Sequence, residues 1–187
     1  EYFFFFFLIG RPTYRKCYKD GMILTSNGSF KACVGGGLCQ LSNLIYWLTL
    51  HTPLTVTERY RHSHDVFPDV NRTQPFGSGA TCHFNYLDLE IKNTTNYPYQ
   101  LRLYISNEKL CGEWKSTDPC NYIYEVYEKS HSITPGFFGN YIRNNIIHRK
   151  VFNLDKELIG DDYISENHAF MMYQPYLENS QLKTDTD

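Results

Sequence analysis

A chain of 187 residues with a formal net charge of -2 and a pI near 6.4 is long enough for one domain with a real core, or for a domain plus an appendage. It lacks the excess of positive charge that a broad nucleic-acid footprint needs, so nucleic acid is not expected as a partner. Its six cysteines are scattered without a C-x-x-C pair, which gives no sign of a zinc knuckle or a redox dithiol and leads to an expectation of reduced thiols in a cytoplasmic setting.

The unbroken apolar run from Tyr2 to Ile9 reads as a buried strand. It is far short of the roughly 20 residues that cross a bilayer, and it lacks the basic flank and cleavage site of a signal peptide. No methionine opens the chain, so further sequence upstream is expected. Gly10, Pro12 and Thr13 break the strand into a loop. Asp20-Gly21 and Asn27-Gly28 predict tight turns between short strands over residues 14 to 34. Leu41, Leu44, Ile45 and Leu48 then recur at helical spacing and predict the main helix over about 38 to 51, ended by Pro53.

TVTERY alternates as a strand, and FPDVNRTQPFGSGA has the Pro, Gly and Asn content of a long loop. Residues 80 to 92, 99 to 106 and 109 to 115 predict the three strands of an antiparallel meander. After a linker at residues 116 to 120, the runs NYIYEVYEK, GNYIRNNIIHRKVF and DDYISENHAFMMY predict further strands, and the polar end of the chain is expected to fray. An aromatic content of 17%, much of it in alternating runs, fits a β-rich core. The expected architecture is α+β, with a mostly antiparallel, twisted sheet packed on one main helix. Residues 1 to 115 would form the main domain, 116 to 178 a β-rich C-terminal extension and 179 to 187 a flexible tail.

Three stretches carry a resemblance: FLIGRPTYRKCYKDGMIL, GGGLCQLSNLIYWLTLHTPLTVTERYRHSHDVFPD and TQPFGSGATCHFNYLDLEIKNTTNYPYQLRL. Together they resemble the VanW-like family from about Phe3 to Trp114, through a glycine-cysteine-glutamine signature before a helix, an ER-x-x-HS segment and a GATxxxNYxDL strand. Residues 121 to 177 resemble the C-terminal extension carried by some members. The resemblance implies a glycopeptide-resistance or cell-envelope setting, with a peptidoglycan precursor or stem peptide as the expected partner. It implies no particular reaction, so no catalytic residue carries over by precedent.

The residues themselves offer three readings. Gly35, Gly36 and Gly37 can adopt backbone angles closed to other residues, which places Cys39 in the first turn of a helix, where open N–H groups and the positive dipole end lower a thiol's pKa. His62 and His64, two residues apart, would face the same side of an extended segment, with Asp88 or Asp65 to orient one of them. In the first reading Cys39 attacks an amide or ester of a stem peptide, with His64 or His62 as general base. The Gly37 to Gln40 amides, aided by the Gln40 side chain, stabilise the oxyanion. The second uses His62, His64 and Asp65 as metal ligands with Cys39 or His83 completing the shell. Only two of these stand at a meaningful ligand spacing, so no metal or other cofactor is expected. The third is a non-enzymatic binding module in which Gly35, Gly36, Gly37 and the helix N-terminus hold a carboxylate, with Arg59, Arg61 or Arg72 supplying bidentate contacts.

Overall fold

The computed structural model describes residues 1–25, 28–68 and 72–175. The Asn27-Gly28 turn, the centre of the long loop and the polar tail therefore fall wholly or partly outside the described residues. Strands dominate and nearly all pair antiparallel, around one main helix.

The apolar run at the start does not stay extended. Strand β1 (Tyr2–Phe4) gives way at once to a short helix α1 (Phe5–Ile9). The reason lies across the sheet: Asp88 Oδ1 accepts the Phe6 N–H at 3.1 Å, and the Leu89 carbonyl accepts the Phe5 N–H at 3.1 Å. These two contacts satisfy amides that a helix start leaves open. The turn buries Phe5 and Phe6 and leaves Phe7 and Leu8 exposed. Gly10, at φ 64°, stops it.

Strands β2 (Asp20–Leu24) and β3 (Phe30–Val34) form a hairpin. Asp20-Gly21, expected as a turn, opens β2 instead. Gly21 is needed there because its backbone meets that of Gly36, so closely that a Cβ on Gly36 would lie 2.0 Å from the Gly21 carbonyl carbon. The main helix α2 (Leu38–Leu50) follows at the expected place. Its Ile45, Tyr46 and Leu50 are buried together with Phe5, Phe6, Leu54, Ala80, Cys82, Leu89 and Ile91 as the core.

Strand β4 (Thr55–Glu58) is the edge of a three-stranded sheet ordered β1-β6-β4, where β6 is Glu90–Lys92. The strand predicted over 80 to 92 survives only as β6. Upstream of it the chain runs against α2, where the Ser42 hydroxyl donates to the Ala80 carbonyl and Asn43 Oδ1 accepts the Ala80 N–H at 2.7 Å. Helix side chains thus take up backbone groups that a ladder would otherwise use. The meander is accordingly cut. Among the described residues strands β7 (Tyr99–Ser106) and β8 (Lys109–Ser116) pair only with each other, through a turn whose Asn107 and Glu108 both have positive φ, 48° and 64°, the tight reversal that matches strand twist.

The second large sheet, ordered β5-β11-β10-β9, is built from β9 (Ile123–Pro135), β10 (Tyr141–Phe152) and β11 (Leu158–Met171), with β5 (His64–Asp65) added parallel to β11. Among the described residues the strands fall into four sheets, where one main sheet and a β-rich extension were expected. Residues beyond 116 dock on the first part through buried and partly buried polar contacts. Arg149 donates to the Leu50 and Thr52 carbonyls at 3.3 and 3.0 Å, Asn145 to the Phe76 carbonyl at 2.7 Å, and Arg143 to Asp65 at 3.2 Å. Among the described residues no helix is long and apolar enough to cross a membrane.

Candidate active site

The glycine loop positions Cys39 through its contact with the β2–β3 hairpin. Gly36 rests on Gly21, and Gly37, at φ 96°, turns the chain into α2. The Leu38 amide is taken by the Gly35 carbonyl, and those of Gln40 and Leu41 by the Gly37 carbonyl. Among the described residues this leaves the Gly37 and Cys39 amides as the open donors at the head of the helix.

Cys39 Sγ lies 3.6 Å from the Cys82 carbonyl oxygen. Cys82 is brought there by the contacts of Ser42 and Asn43 with Ala80. The bridge Tyr60↔Thr81, closed by the Thr81 N–H to the Tyr60 carbonyl at 2.8 Å, ties the Cys82 segment to the one carrying His62. Cys39, Gln40, His62, Cys82 and His83 all line one open groove of about 840 Å³, floored by Gly35, Gly36 and Gly37 and edged by Phe67 and Tyr86.

The electrostatics of this corner favour a thiolate. The Cys82 thiol, as hydrogen-bond donor, is the largest influence lowering the Cys39 pKa; burial opposes it, and the His62 imidazole and the Cys82 amide add to the lowering. The result is a thiol held down at about 4. The adjacent Cys82 thiol is pushed up, first by its hydrogen bond to Cys39 and then by burial. The lowering falls on Cys39 and the raising on Cys82, so Cys39 is the sulfur favoured to ionise.

The other candidates from the sequence are placed as follows. His64 parts from His62: it sits in β5, 6.0 Å from the Phe170 ring, with its Nδ1 3.0 Å from the Ser63 hydroxyl. The chain at His62 is not yet a strand, so the two imidazoles do not share a face. Asp88 caps α1 and binds its neighbour Leu89 at 2.9 Å, so it does not orient a histidine. Asp65 is buried, accepting from Arg143 at 3.2 Å and Tyr173 at 2.8 Å with Arg72 3.6 Å away. The metal reading loses its geometry with this dispersal, and among the described residues no three potential ligand side chains converge.

The three arginines do not gather at the glycine loop. Arg59 is a half-buried clamp, donating to the Gly77 carbonyl, to the Gly79 carbonyl at 2.8 Å and to Asn167 at 3.2 Å, with its guanidinium 5.0 Å from the Tyr46 ring. Arg72 holds the Phe67 carbonyl at 3.2 Å, and Arg61 holds the His62 carbonyl at 3.2 Å. Among the described residues the guanidinium that lines the groove is that of Arg11. The sequence reading missed both Arg11 and Cys82. Cys82 sits in a run that alternates like a strand, and nothing in its local pattern foretells that helix side chains carry it to Cys39.

The arrangement is a cysteine whose thiol pKa is lowered, with His62 among the causes, at the head of a helix that lines a groove large enough for a short peptide. Comparison with known proteins adds context. The family profile described as "VanW like protein" matches residues 1–115. The chain is 37% identical over 113 residues to the "Vancomycin B-type resistance protein VanW" of Enterococcus faecalis, covering 60% of this chain and 41% of that protein. It is 32% identical over 102 residues to the "Uncharacterized protein YoaR" of Bacillus subtilis, covering 54% of this chain and 32% of that protein. The chain thus spans less than half the length of these curated relatives. No solved structure matches.

Proposed function

Because the chain belongs to the VanW-like protein family, over residues 1–115, we propose that it serves in glycopeptide resistance or envelope maintenance as a thiol-dependent acyl-transfer protein acting on peptidoglycan stem peptides. The observation that carries this reading is the placement of Cys39, His62 and two open amides along one groove, and a Cys39 pKa lowered to about 4 supports it.

In the reaction the Cys39 thiolate adds to an amide or ester carbonyl, and the Gly37 and Cys39 amides donate to the oxyanion that forms. His62, as imidazolium, gives a proton to the departing amine or alkoxide while the C–N or C–O bond breaks, leaving a thioester on Cys39. The neutral imidazole then takes a proton from water or an acceptor amine, which attacks the thioester and frees the thiol. Neither Asp88 nor Asp65 backs the histidine, so this is a dyad rather than a triad.

The test is turnover of short stem-peptide analogues ending in D-Ala-D-Ala (amide) or D-Ala-D-Lac (ester), with the terminal product followed by chromatography. Release is expected with the parent chain, abolished by Cys39→Ala and reduced by His62→Ala. Release that survives Cys39→Ala overturns the reading. Saturable binding of both analogues without release would establish the carboxylate-binding module in its place. Arg59 and Arg72, engaged elsewhere, lend that alternative no support.

A further inference from the structure

Cys82 takes no part in the acyl-transfer steps, yet it brings a second thiol to the groove that Cys39 lines. The two residues come from elements far apart in sequence, α2 and the irregular run before β6, and the Cys39 sulfur reaches to 3.6 Å from the Cys82 carbonyl. Both thiols are free and both line the same groove. Cys82 is 8% exposed and belongs to the core cluster, with partly buried Cys39 packed against that cluster.

A disulfide forms when a thiol attacks an oxidised sulfur beside it, and a thiolate begins the exchange. We propose that Cys39 and Cys82 form a redox-active dithiol that reacts with hydroperoxides, Cys39 as the peroxidatic sulfur and Cys82 as the resolving one. The proposal rests on the Cys39 thiolate of the proposed function, not on acyl transfer itself.

The chemistry closes without a further reactant. The Cys39 thiolate attacks the terminal oxygen of the hydroperoxide and the O–O bond breaks. The departing alkoxide takes a proton to leave as an alcohol, or as water when the oxidant is hydrogen peroxide, and Cys39 becomes a sulfenic acid. The Cys82 sulfur then attacks the Cys39 sulfur, the S–O bond breaks, and the Cys82 proton leaves with the hydroxide as water. Two thiols lose two electrons to the peroxide bond, and one disulfide forms.

The electrostatics fix the order of the two steps. The Cys82 thiol is held protonated chiefly by its hydrogen bond to the charged Cys39 sulfur. A sulfenic acid is neutral, so the first oxidation removes that influence and frees Cys82 to ionise. Cys82 is quiet until Cys39 has reacted. A closed disulfide would also withdraw the sulfur that the acyl-transfer reading needs, so oxidation and acyl transfer would exclude each other at this site.

The experiment uses hydrogen peroxide on the full chain, with intact-mass and peptide-mapped spectrometry. The parent is expected to lose two hydrogen atoms, to map the bond to Cys39–Cys82, and to recover full Cys39 alkylation on treatment with dithiothreitol. In Cys82→Ala the Cys39 sulfenic acid is expected to be trapped by dimedone, and prolonged exposure to carry it to sulfinic acid that dithiothreitol does not reverse. A Cys17→Ser, Cys33→Ser, Cys111→Ser, Cys120→Ser background that still forms the bond excludes the other thiols; circular dichroism of every variant guards against misfolding. The proposal is overturned if the parent goes to sulfinic acid as readily as Cys82→Ala, or if Cys39 pairs with Cys33. Disulfide formation without turnover of stem-peptide analogues leaves the dithiol standing and the acyl-transfer reading refuted; turnover without the disulfide does the reverse.

Discussion

Alkylation of Cys39 across pH is the perturbation in which the structure's electrostatics can be read as numbers. A free thiol with a pKa near 8.5 is about 3% thiolate at pH 7 and about 0.03% at pH 5. A thiol held at about 4 is about 90% thiolate already at pH 5. A thiolate of lower pKa is also a weaker nucleophile; with a Brønsted slope of about 0.45, a drop of about 4.5 pKa units costs roughly a hundredfold in intrinsic rate. Combining the two, Cys39 should react about threefold more slowly than an open cysteine at pH 7 and roughly thirtyfold faster at pH 5. The pH profile, and not the rate at neutrality, is therefore diagnostic. Because the folded pKa lies below the ordinary one, the thiolate is present above about pH 4 and lost below it. The assay is iodoacetamide labelling resolved by peptide, with exposed Cys17 and Cys120 as internal references. Cys39 should be flat from about pH 5 upward, whereas a thiol of ordinary pKa climbs about tenfold per pH unit. Cys82→Ala should raise the Cys39 midpoint more than His62→Ala, since the Cys82 thiol is the larger influence. A Cys39 rate that climbs in parallel with Cys17 and Cys120 between pH 5 and 8 refutes the reasoning.

His64→Ala should leave the Cys39 profile where it is, because the ring packs on Phe170 and not on the thiol, and a shift in midpoint would put His64 back at the site. Asp88→Ala should likewise spare the profile, while costing about 1 kcal/mol through the lost cap of α1, read as a small fall in melting temperature. Arg59→Ala leaves the Gly77 and Gly79 carbonyls without their donor, an expected loss of about 2–5 kcal/mol and a fall of roughly 5–15 °C in melting temperature. A melting curve that does not move would show the clamp to be replaceable by water. Gly36→Ala forces a Cβ to 2.0 Å from the Gly21 carbonyl carbon, a backbone clash that should cost more than the ~1–3 kcal/mol of ordinary overpacking, whereas Gly37→Ala, whose Cβ would meet open space, carries only the ~1–2 kcal/mol strain of an alanine at φ 96°. Equal losses in urea titrations of the two variants would contradict the backbone contact.

What the sequence made legible followed from periodicity. The spacing of Leu41, Leu44, Ile45 and Leu48 located α2, and the alternating runs after residue 120 located β9, β10 and β11, because burial on one face repeats at 3.6 or 2 residues and leaves its mark locally. The glycine loop and Cys39 at the head of the helix were legible for the same local reason. What was lost depended on contacts distant in sequence. The apolar run turns helical at Phe5 because Asp88, more than 80 residues away, accepts the Phe6 amide; the strand expected from residue 80 is held off the ladder by Ser42 and Asn43. His62 reaches the groove while His64 does not because β5 begins at His64 and fixes that residue on β11. Arg59 and Arg72 look like ligand cations in a sequence, and only the fold shows the carbonyls they serve.

The central claim, that Cys39 is an acyl acceptor, is tested most directly by rapid-quench intact-mass spectrometry on the full chain mixed with a stem-peptide analogue ending in D-Ala-D-Lac. The expected result is a transient adduct with the mass of the acyl portion, mapped to Cys39, discharged by hydroxylamine, absent in Cys39→Ala and slower to form and to clear in His62→Ala. A chain that shows no adduct on Cys39 while the analogue is consumed, or an adduct on any other residue that survives Cys39→Ala, contradicts the account.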